Sequence, residues 1–297
     1  MNKRNQKVAV LSICLNHPYW QFAEEMFNGL QTHFLTGEDY DVDYFLWSDI
    51  SKDGAEIIAE PIMDGDKVLE PGSRQAIPPP SSYGANLIPT EPATWPLPTL
   101  MRYHLFLREE KRLREYDYIF YIDVDMKIVA PIGEEIIPKM GGLMAARHPM
   151  YALRRNFIPP YEDNPDSACY VPRPGTWGQD ENGIPFFEPL YAAGGFQGGR
   201  TEEFIEAMKA MRKMIDVDFN NNYTPRWNDE SAWNRYLFEN PPEIVLSPSY
   251  VYPDSLIDEY YVKLWGRNYE PKIVTITKSF TISAEAGQEV SKQLKTL

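Results

Sequence analysis

Residues 118–126 read Tyr-Ile-Phe-Tyr-Ile-Asp-Val-Asp-Met, an apolar run that ends in two carboxylates on alternate positions. Five consecutive Tyr, Ile and Phe residues are typical of a strand inside a sheet. Asp123 and Asp125 do not fit there, because an unpaired buried carboxylate costs too much free energy. We therefore predict an α/β fold in which these aspartates lie where the strand leaves the sheet.

At that position Asp123 and Asp125 are candidates for binding a hard divalent cation. Mg²⁺ and Mn²⁺ typically take one or two protein carboxylates together with substrate phosphates. Ligand sites in open α/β sheets also lie at the carboxyl ends of strands. The alternative is a pair of solvated turn aspartates, because Asp-x-Asp is a common tripeptide.

The residues before this strand predict a β-α-β unit, the usual opening of a parallel nucleotide-binding sheet. The apolar spacing indicates a strand over residues 8–15, a helix from about 19 to 34 and a strand over 42–47. Ile57 and Ile58 are assigned to a third strand.

Residues 61–98 contain nine prolines and little periodicity. We interpret them as a long irregular arm, neither a helix nor a central strand. A helix over residues 99–114 is expected to lead into the Asp-x-Asp strand.

The second half has three informative stretches. Residues 191–199 form a glycine-rich run that predicts a strand closely approached by another group. Residues 201–214 predict an amphipathic helix with Thr201 as its N-cap. Residues 227–236 predict another helix start, with Asn228 or Asp229 as the cap.

The composition limits the function classes. The net charge of −14 argues against a nucleic-acid surface, which needs clustered Lys and Arg. Cys14 and Cys169 fit no metal spacing or disulfide framework and predict buried residues in a reducing compartment. The apolar run after the basic start is too short for a signal peptide or a membrane span. We expect a soluble, cytoplasmic protein.

Taken together, the Asp-x-Asp, the glycine run and Trp227-Asn228-Asp229-Glu230 resemble glycosyltransferase family 6. That family includes the histo-blood-group A and B transferases and α1,3-galactosyltransferase. The resemblance is dense from about residue 116 to 253, in ordered blocks at 121–126, 148–149, 161–162, 167–172, 227–236 and 246–250. The first fifty residues match more weakly, and the arm and the tail after 253 barely match.

The resemblance implies a single domain over residues 1–297 with a GT-A-type nucleotide-sugar-binding fold and a central mixed, mostly parallel sheet. A nucleotide-binding half over 1–126, a donor and acceptor half over 127–253 and a C-terminal tail over 254–297 would make up that domain. The implied activity is retaining transfer of a hexose from a UDP-sugar to a galactose-type saccharide acceptor, in α1,3 linkage. N-acetylgalactosamine is favoured, galactose comes next, and glucose stays open.

The resemblance also assigns donor-side residues by position. Asp123 and Asp125 would bind Mn²⁺, with Mg²⁺ as the alternative, and through it the UDP diphosphate. Contacts with the nucleotide or the donor sugar are implied for Leu11, Ser12, Ile13, Tyr19, Trp95, Arg102, Val124, Ala193, Gly194, Gly195 and Asp229. Small side chains at 193 and 195 would leave room for a 2-acetamido group. Without the resemblance, Arg102 is an ordinary helix-surface arginine.

On the acceptor side, the resemblance implies that Trp227 stacks on the acceptor sugar and that His148 binds its hydroxyls. Glu230 is the candidate catalytic residue. Retention requires either a carboxylate nucleophile or front-face attack within an ion pair, in which Glu230 would orient the acceptor hydroxyl. The sequence leaves both routes open.

The chain departs from the family pattern on the acceptor side. Asp163-Asn164 replaces an Arg-Arg pair, and Asn228 and Ala232 replace histidines, so we expect an acceptor other than the vertebrate blood-group precursor. The intact Asp-x-Asp predicts metal dependence in a soluble member of the bacterial or phage type. Lys272 or Lys278 is a candidate for closing the tail over UDP.

Two other classes compete with this interpretation. Haloacid-dehalogenase-type phosphohydrolases also place Asp-x-Asp after a strand, but Thr is expected where Lys127 stands. A carbohydrate-binding module using Trp227, the acidic residues and a cation would need no UDP site.

Overall fold

The structure, a computed structural model, describes residues 5–58, 62–64, 67–70, 74–151, 159–172, 190–254 and 269–277. The helices are α1 (His17–His33), α2 (Leu97–Leu100), α3 (Arg102–Arg108), α4 (Glu110–Leu113), α5 (Thr201–Asn220) and α6 (Asp229–Glu239). The strands are β1 (Gln6–Cys14), β2 (Tyr40–Ser48), β3 (Ala55–Ile58), β4 (Ile62–Asp64), β5 (Lys67–Glu70), β6 (Arg74–Ile77), β7 (Ala85–Pro89), β8 (Tyr118–Ile122), β9 (Met126–Ile128), β10 (Leu143–Arg147), β11 (Ala192–Arg200), β12 (Ile244–Leu246), β13 (Tyr252–Pro253) and β14 (Ile273–Thr275).

A seven-stranded mixed sheet forms the centre of the fold, in the order β12-β10-β11-β8-β1-β2-β7. Four neighbouring pairs are parallel and two, both involving β11, are antiparallel. In a smaller sheet, of order β13-β14-β9, strand β9 follows the Asp-x-Asp and pairs with β14 near the C-terminus. The predicted α/β fold with a mixed, mostly parallel sheet is confirmed.

Strand β8 is buried on both faces of the sheet. Tyr118, Phe120 and Ile122 belong to the apolar cluster under α1, whereas Ile119 and Tyr121 belong to the cluster under α3, α5 and α6. All five residues are buried. The unbroken apolar run in the sequence therefore reflects a central strand covered by helices on both sides.

The predicted strands near 8–15, 42–47 and 191–199 are confirmed, and so are the helices that begin near 19, 201 and 229. Helix α1 begins two residues earlier than predicted, and α5 extends to Asn220. Cys14 and Cys169 are buried free thiols, as expected. The single-domain assignment and the location of the protein stay predictions.

The interpretation of residues 61–98 as an irregular arm is wrong in part. Ala85–Pro89 forms β7, which pairs in parallel with β2 at the edge of the central sheet. Proline occurs only at the last residue of this strand, and an edge strand tolerates it there. Ile57 and Ile58 do lie in a strand, but β3 pairs with β6 in a separate two-stranded sheet.

Two helix predictions also need correction. Residues 99–114 form three short helices rather than one, and the N–H of Glu109 bonds to Phe106 O, three residues back, which tightens the turn between α3 and α4. Thr201 is the first helical residue and Arg200 occupies the N-cap, because β11 continues in an extended conformation through Arg200 and runs directly into α5.

The helices in the described ranges include none that combines the length and the apolar character needed to cross a membrane.

Candidate active site

A cleft lies at the edge of the sheet where β1 and β8 end. Strands β1 and β8 are parallel neighbours, so their carboxyl ends meet at this edge. The cleft is lined by seven of the predicted donor-side residues, namely Ile13, Tyr19, Trp95, Arg102, Asp123, Val124 and Asp125. Side chains separated by up to 112 positions in the sequence are thereby brought together.

Two predicted uridine contacts, Leu11 and Ser12, are buried within β1 and do not line this cleft. Leu11 packs in the core under α3 and α5. The Ser12 hydroxyl donates to Ile122 O at 2.6 Å. Of this segment, the side chain of Ile13 alone is among the lining residues.

The turn that carries the two aspartates is fixed by its backbone. The Asp123 N–H donates to Gly195 O at 2.9 Å, and Asp125 O accepts from the N–H of Ile276 at 2.9 Å. The Asp125 side chain is buried, whereas the Asp123 side chain is about a third exposed. Both carboxylates therefore stand directly after β8, held between β11 and the segment that follows β14.

Arg102 joins the two acidic parts of the site. Its guanidinium lies 3.2 Å from Asp123 Oδ1 and 2.8 Å from Asp229 Oδ2, and it donates to Gly194 O at 2.9 Å. It also stacks 4.0 Å above the ring of Tyr121, whose hydroxyl donates to Asp123. Burial alone would lower the pKa of Arg102, but Asp229 and the neighbouring groups raise it above its usual value. This residue is a buried cation, not a helix-surface arginine.

Asp229 and Glu230 open helix α6. Burial raises the pKa of Asp229, and the nearby Arg102 opposes that shift. The Glu230 carboxylate accepts from the Tyr191 hydroxyl at 2.8 Å through Oε1 and from the Gly194 N–H at 2.7 Å through Oε2. Burial raises the pKa of Glu230 to about 7, against the effect of these two donors. Both oxygens of the candidate catalytic group are thus oriented by the protein.

Strand β11 brings the Asp-x-Asp turn and Glu230 close together. A Cβ on Gly194 would lie 3.3 Å from the Cβ of Glu230, and one on Gly195 would lie 2.7 Å from Asp123 Oδ2 and would clash with Met126. Ala193 is buried beside them. The glycines therefore allow Glu230 and the Asp-x-Asp turn to approach the same strand.

The residues of the Asp-x-Asp turn fit a metal ion whose remaining ligands come from the substrate. Among the residues that the structure describes, no group of three or more His, Cys, Asp and Glu side chains could hold a metal alone. Asp123 and Asp125 instead offer hard oxygen ligands on the wall of an open cleft. This set matches the one or two carboxylates that Mg²⁺ or Mn²⁺ uses beside substrate phosphates.

The other predicted acceptor residues are Trp227 and His148. The Trp227 indole is 42% exposed and donates through Nε1 to Pro160 O at 2.8 Å. The His148 ring meets Tyr191 edge to face at 5.7 Å, and burial lowers the pKa of His148 to about 4. His148 is therefore neutral near pH 7, and Tyr191 connects it to Glu230.

Three residues with roles in the site were not predicted. The Tyr191 hydroxyl donates to Glu230, and its only signal in the sequence was its place as the first residue of the glycine-rich stretch. Gln197 donates to Gly194 O at 2.9 Å and accepts from Tyr103 at 3.0 Å, and its signal was a lone amide in an otherwise apolar strand. Glu162 is buried beneath the turn before Trp227, and no local pattern in the sequence indicates its partners.

The model of glycosyltransferase family 6 matches residues 100–268, more than half of the chain. The chain belongs to glycosyltransferase family 6. This match covers α3, the Asp-x-Asp turn, β11 and α6, which together supply the polar groups described above. The resemblance stated from the sequence motifs is confirmed.

Individual curated proteins are similar to this chain over parts of their length. Histo-blood group ABO system transferase 1 of Rattus norvegicus is 35% identical over 149 residues, 50% of this chain and 38% of the rat protein. Globoside alpha-1,3-N-acetylgalactosaminyltransferase 1 of Gallus gallus is 28% identical over 80% of this chain and 59% of its own length. The O-antigen biosynthesis glycosyltransferase WbnI of Escherichia coli is 28% identical over 63% of this chain and 70% of its own length. The chain thus spans about two fifths to three fifths of the vertebrate relatives compared.

Proposed function

We propose that this family 6 member transfers a hexose from a UDP-sugar to a galactose-type acceptor, with retention and in α1,3 linkage. N-acetylgalactosamine is the favoured donor sugar and galactose the next. One observation carries the proposal: Arg102 and Gly194 connect the Asp-x-Asp turn to Asp229 and Glu230. A donor bound at the sheet edge would therefore present its sugar to an oriented carboxylate.

Asp123 and Asp125 would hold Mn²⁺, or Mg²⁺ in its place. The bound ion would neutralise the diphosphate and stabilise UDP as it departs. The protein carries a net charge of −14, so a diphosphate needs such a cation to approach these aspartates. Arg102 is already paired with Asp123 and Asp229, so a further cation is needed to neutralise the diphosphate.

Retention assigns Glu230 one of two roles. In the first, a Glu230 oxygen bonds to the anomeric carbon as the bond to UDP breaks. The acceptor oxygen then displaces Glu230 as a carboxylate, and the proton of the acceptor hydroxyl passes to the released phosphate. In the second, the acceptor attacks from the face that UDP leaves, its proton passes to the departing phosphate oxygen, and Glu230 stabilises the positive anomeric centre. Both routes require the carboxylate form, so the rate should rise with pH through the Glu230 pKa of about 7.

The donor preference depends on two residues of β11. Ala193 and Gly195 project little volume beside the Asp-x-Asp turn. Asp123 and Met126 occupy the space that a side chain at Gly195 would fill, so the preference for N-acetylgalactosamine over galactose rests on the family resemblance at these two positions. Pocket size alone gives modest discrimination, of about 10-fold to 200-fold per group.

The direct test is UDP release from a panel of UDP-sugars, with Mn²⁺ and with a chelator, by wild type and Glu230→Gln. We expect one donor to be hydrolysed, with loss of activity in chelator and in the variant. Folded wild-type protein that turns over no donor, with or without a β-galactoside, would contradict the proposal and favour a carbohydrate-binding protein.

A further inference from the structure

Two buried carboxylates fasten the loop of residues 159–172 to the end of α5 and to the turn before α6. Glu162 is 1% exposed and Asp218 is fully buried. Asp218 accepts from the Ser167 hydroxyl and the Ala168 N–H, both at 2.7 Å. Glu162 holds the other end of the same loop, next to Trp227.

The partners of Glu162 are all donors. Its Oε1 accepts from the Asn164 N–H at 3.0 Å and the Tyr223 hydroxyl at 2.8 Å, and its Oε2 accepts from the Arg226 N–H at 2.6 Å. An ionised carboxylate accepts on both oxygens, whereas an amide presents N–H groups on one side. A glutamine here would leave a buried N–H facing another N–H, so the site requires the charge of glutamate as well as its shape.

These bonds fix the turn from which Trp227 projects. Glu162 holds the backbone of Arg226, Ser231 accepts from the Trp227 N–H at 3.0 Å, and Pro160 O accepts from the indole Nε1 at 2.8 Å. Pro160 and Glu162 are two residues apart, so both the backbone before Trp227 and its ring rest on one short segment. The indole is still 42% exposed and can meet a ligand.

The groups that follow Trp227 have separate supports. Glu230 is held by Tyr191 and Gly194, Asp229 lies against Arg102, and the Asn234 side chain pairs with the backbone of Ala192. Loss of the Glu162 bonds therefore loosens Trp227 without releasing the start of α6.

We propose that Glu162 is a positioning residue that sets the Trp227 ring for the acceptor sugar. The inference rests on the proposed function in so far as Trp227 receives a saccharide. Glu162 touches no substrate in this assignment and acts through the turn at Arg226. Asp218 supplies the matched control, because Asp218→Asn removes one charge from the other anchor of the same loop.

The first measurement is hydrogen exchange of the Trp227 indole N–H by NMR, with the signal assigned from its absence in Trp227→Phe. We expect exchange in Glu162→Gln to be about tenfold faster than in wild type, the size that follows from one unsatisfied buried donor. Asp218→Asn should leave that rate unchanged. Equal rates in wild type and Glu162→Gln, or equal acceleration in both variants, would overturn the inference without reference to any activity.

The second measurement is transfer from UDP-N-acetylgalactosamine to lactose in the presence of Mn²⁺. Glu162→Gln should raise the KM for lactose about tenfold, with the KM for the donor unchanged. In a Trp227→Ala background the same substitution should have no further effect on the KM for lactose. A full additional effect there would overturn the assignment, whereas absence of transfer by wild type would count against the proposed function and leave the exchange result standing.

Discussion

The proposed donor side and the proposed acceptor side of this site are built in different ways. On the donor side, Asp123 and Asp125 follow a buried strand, and backbone hydrogen bonds and the buried Arg102 fix them. On the acceptor side, Trp227 stands on a turn held by the side chain of Glu162 and by Pro160 O. The first region depends on the sheet, so it can change little without loss of the fold. The second depends on a loop, so it can change between relatives while the chemistry is kept.

The largest effect is expected where the two regions meet, at Glu230. Glu230→Gln keeps the size of the side chain but removes the charge that either retaining route needs, so we expect kcat to fall about a thousandfold. Glu239→Gln, at the exposed end of the same helix, serves as the control and should retain wild-type activity. UDP release at saturating donor measures both. A loss of less than about tenfold in Glu230→Gln would remove Glu230 from the chemistry.

Arg102 tests how far the donor side depends on one cation. Arg102→Met leaves Asp229 and Asp123 without their shared partner, and breaking a buried pair in this way costs about 3–5 kcal/mol of unfolding free energy. Arg235→Met removes a surface pair with Glu239 and should cost about 0–1 kcal/mol. Urea unfolding of the two variants makes the comparison. Equal stabilities would show that Arg102 is not the centre of the donor side.

Gly195 tests the proposed donor preference. In Gly195→Ala the new methyl group would crowd Asp123 and Met126, so we expect the preference for UDP-N-acetylgalactosamine over UDP-galactose to fall about tenfold in kcat/KM. Gly37→Ala is a suitable control, since no atom lies within 4 Å of its added Cβ. An unchanged preference in Gly195→Ala would place the 2-acetamido group elsewhere.

The smallest effect is expected at Tyr191. Its hydrogen bond lowers the pKa of Glu230, so Tyr191→Phe should raise that pKa and reduce the fraction of ionised carboxylate below neutral pH. We expect the ratio of the rate at pH 6 to the rate at pH 8 to be about fivefold lower in Tyr191→Phe than in wild type. This is the size expected for the loss of one hydrogen bond to a carboxylate. Tyr161→Phe loses a bond to Leu190 O instead and should keep the wild-type pH profile. Identical profiles for all three proteins would contradict the role of Tyr191.

Local patterns in the sequence predicted the position of the Asp-x-Asp turn and the close approach at β11, whereas they could not predict long-range partners. The apolar run before Asp123 and the small residues of β11 are local signals of a buried strand and a close approach, and both were interpretable without a structure. Strand β7 was missed because the prolines around it masked a short apolar run. The roles of Tyr191 and Glu162 depend on partners 39 and 64 residues away, which no local pattern specifies. The sequence likewise could not show that Arg102 is buried, because its burial depends on the packing of α3 against β11.

Calorimetric titration of UDP, with Mn²⁺ and then with a chelator, tests whether the end of β8 forms a metal-dependent UDP site. We expect wild type to bind UDP with Mn²⁺, the chelator to abolish most of this binding, and Asp125→Asn to weaken it. Binding of UDP that is equally tight without a divalent cation, or no binding of UDP by folded protein, would contradict a metal-dependent UDP site at the end of β8.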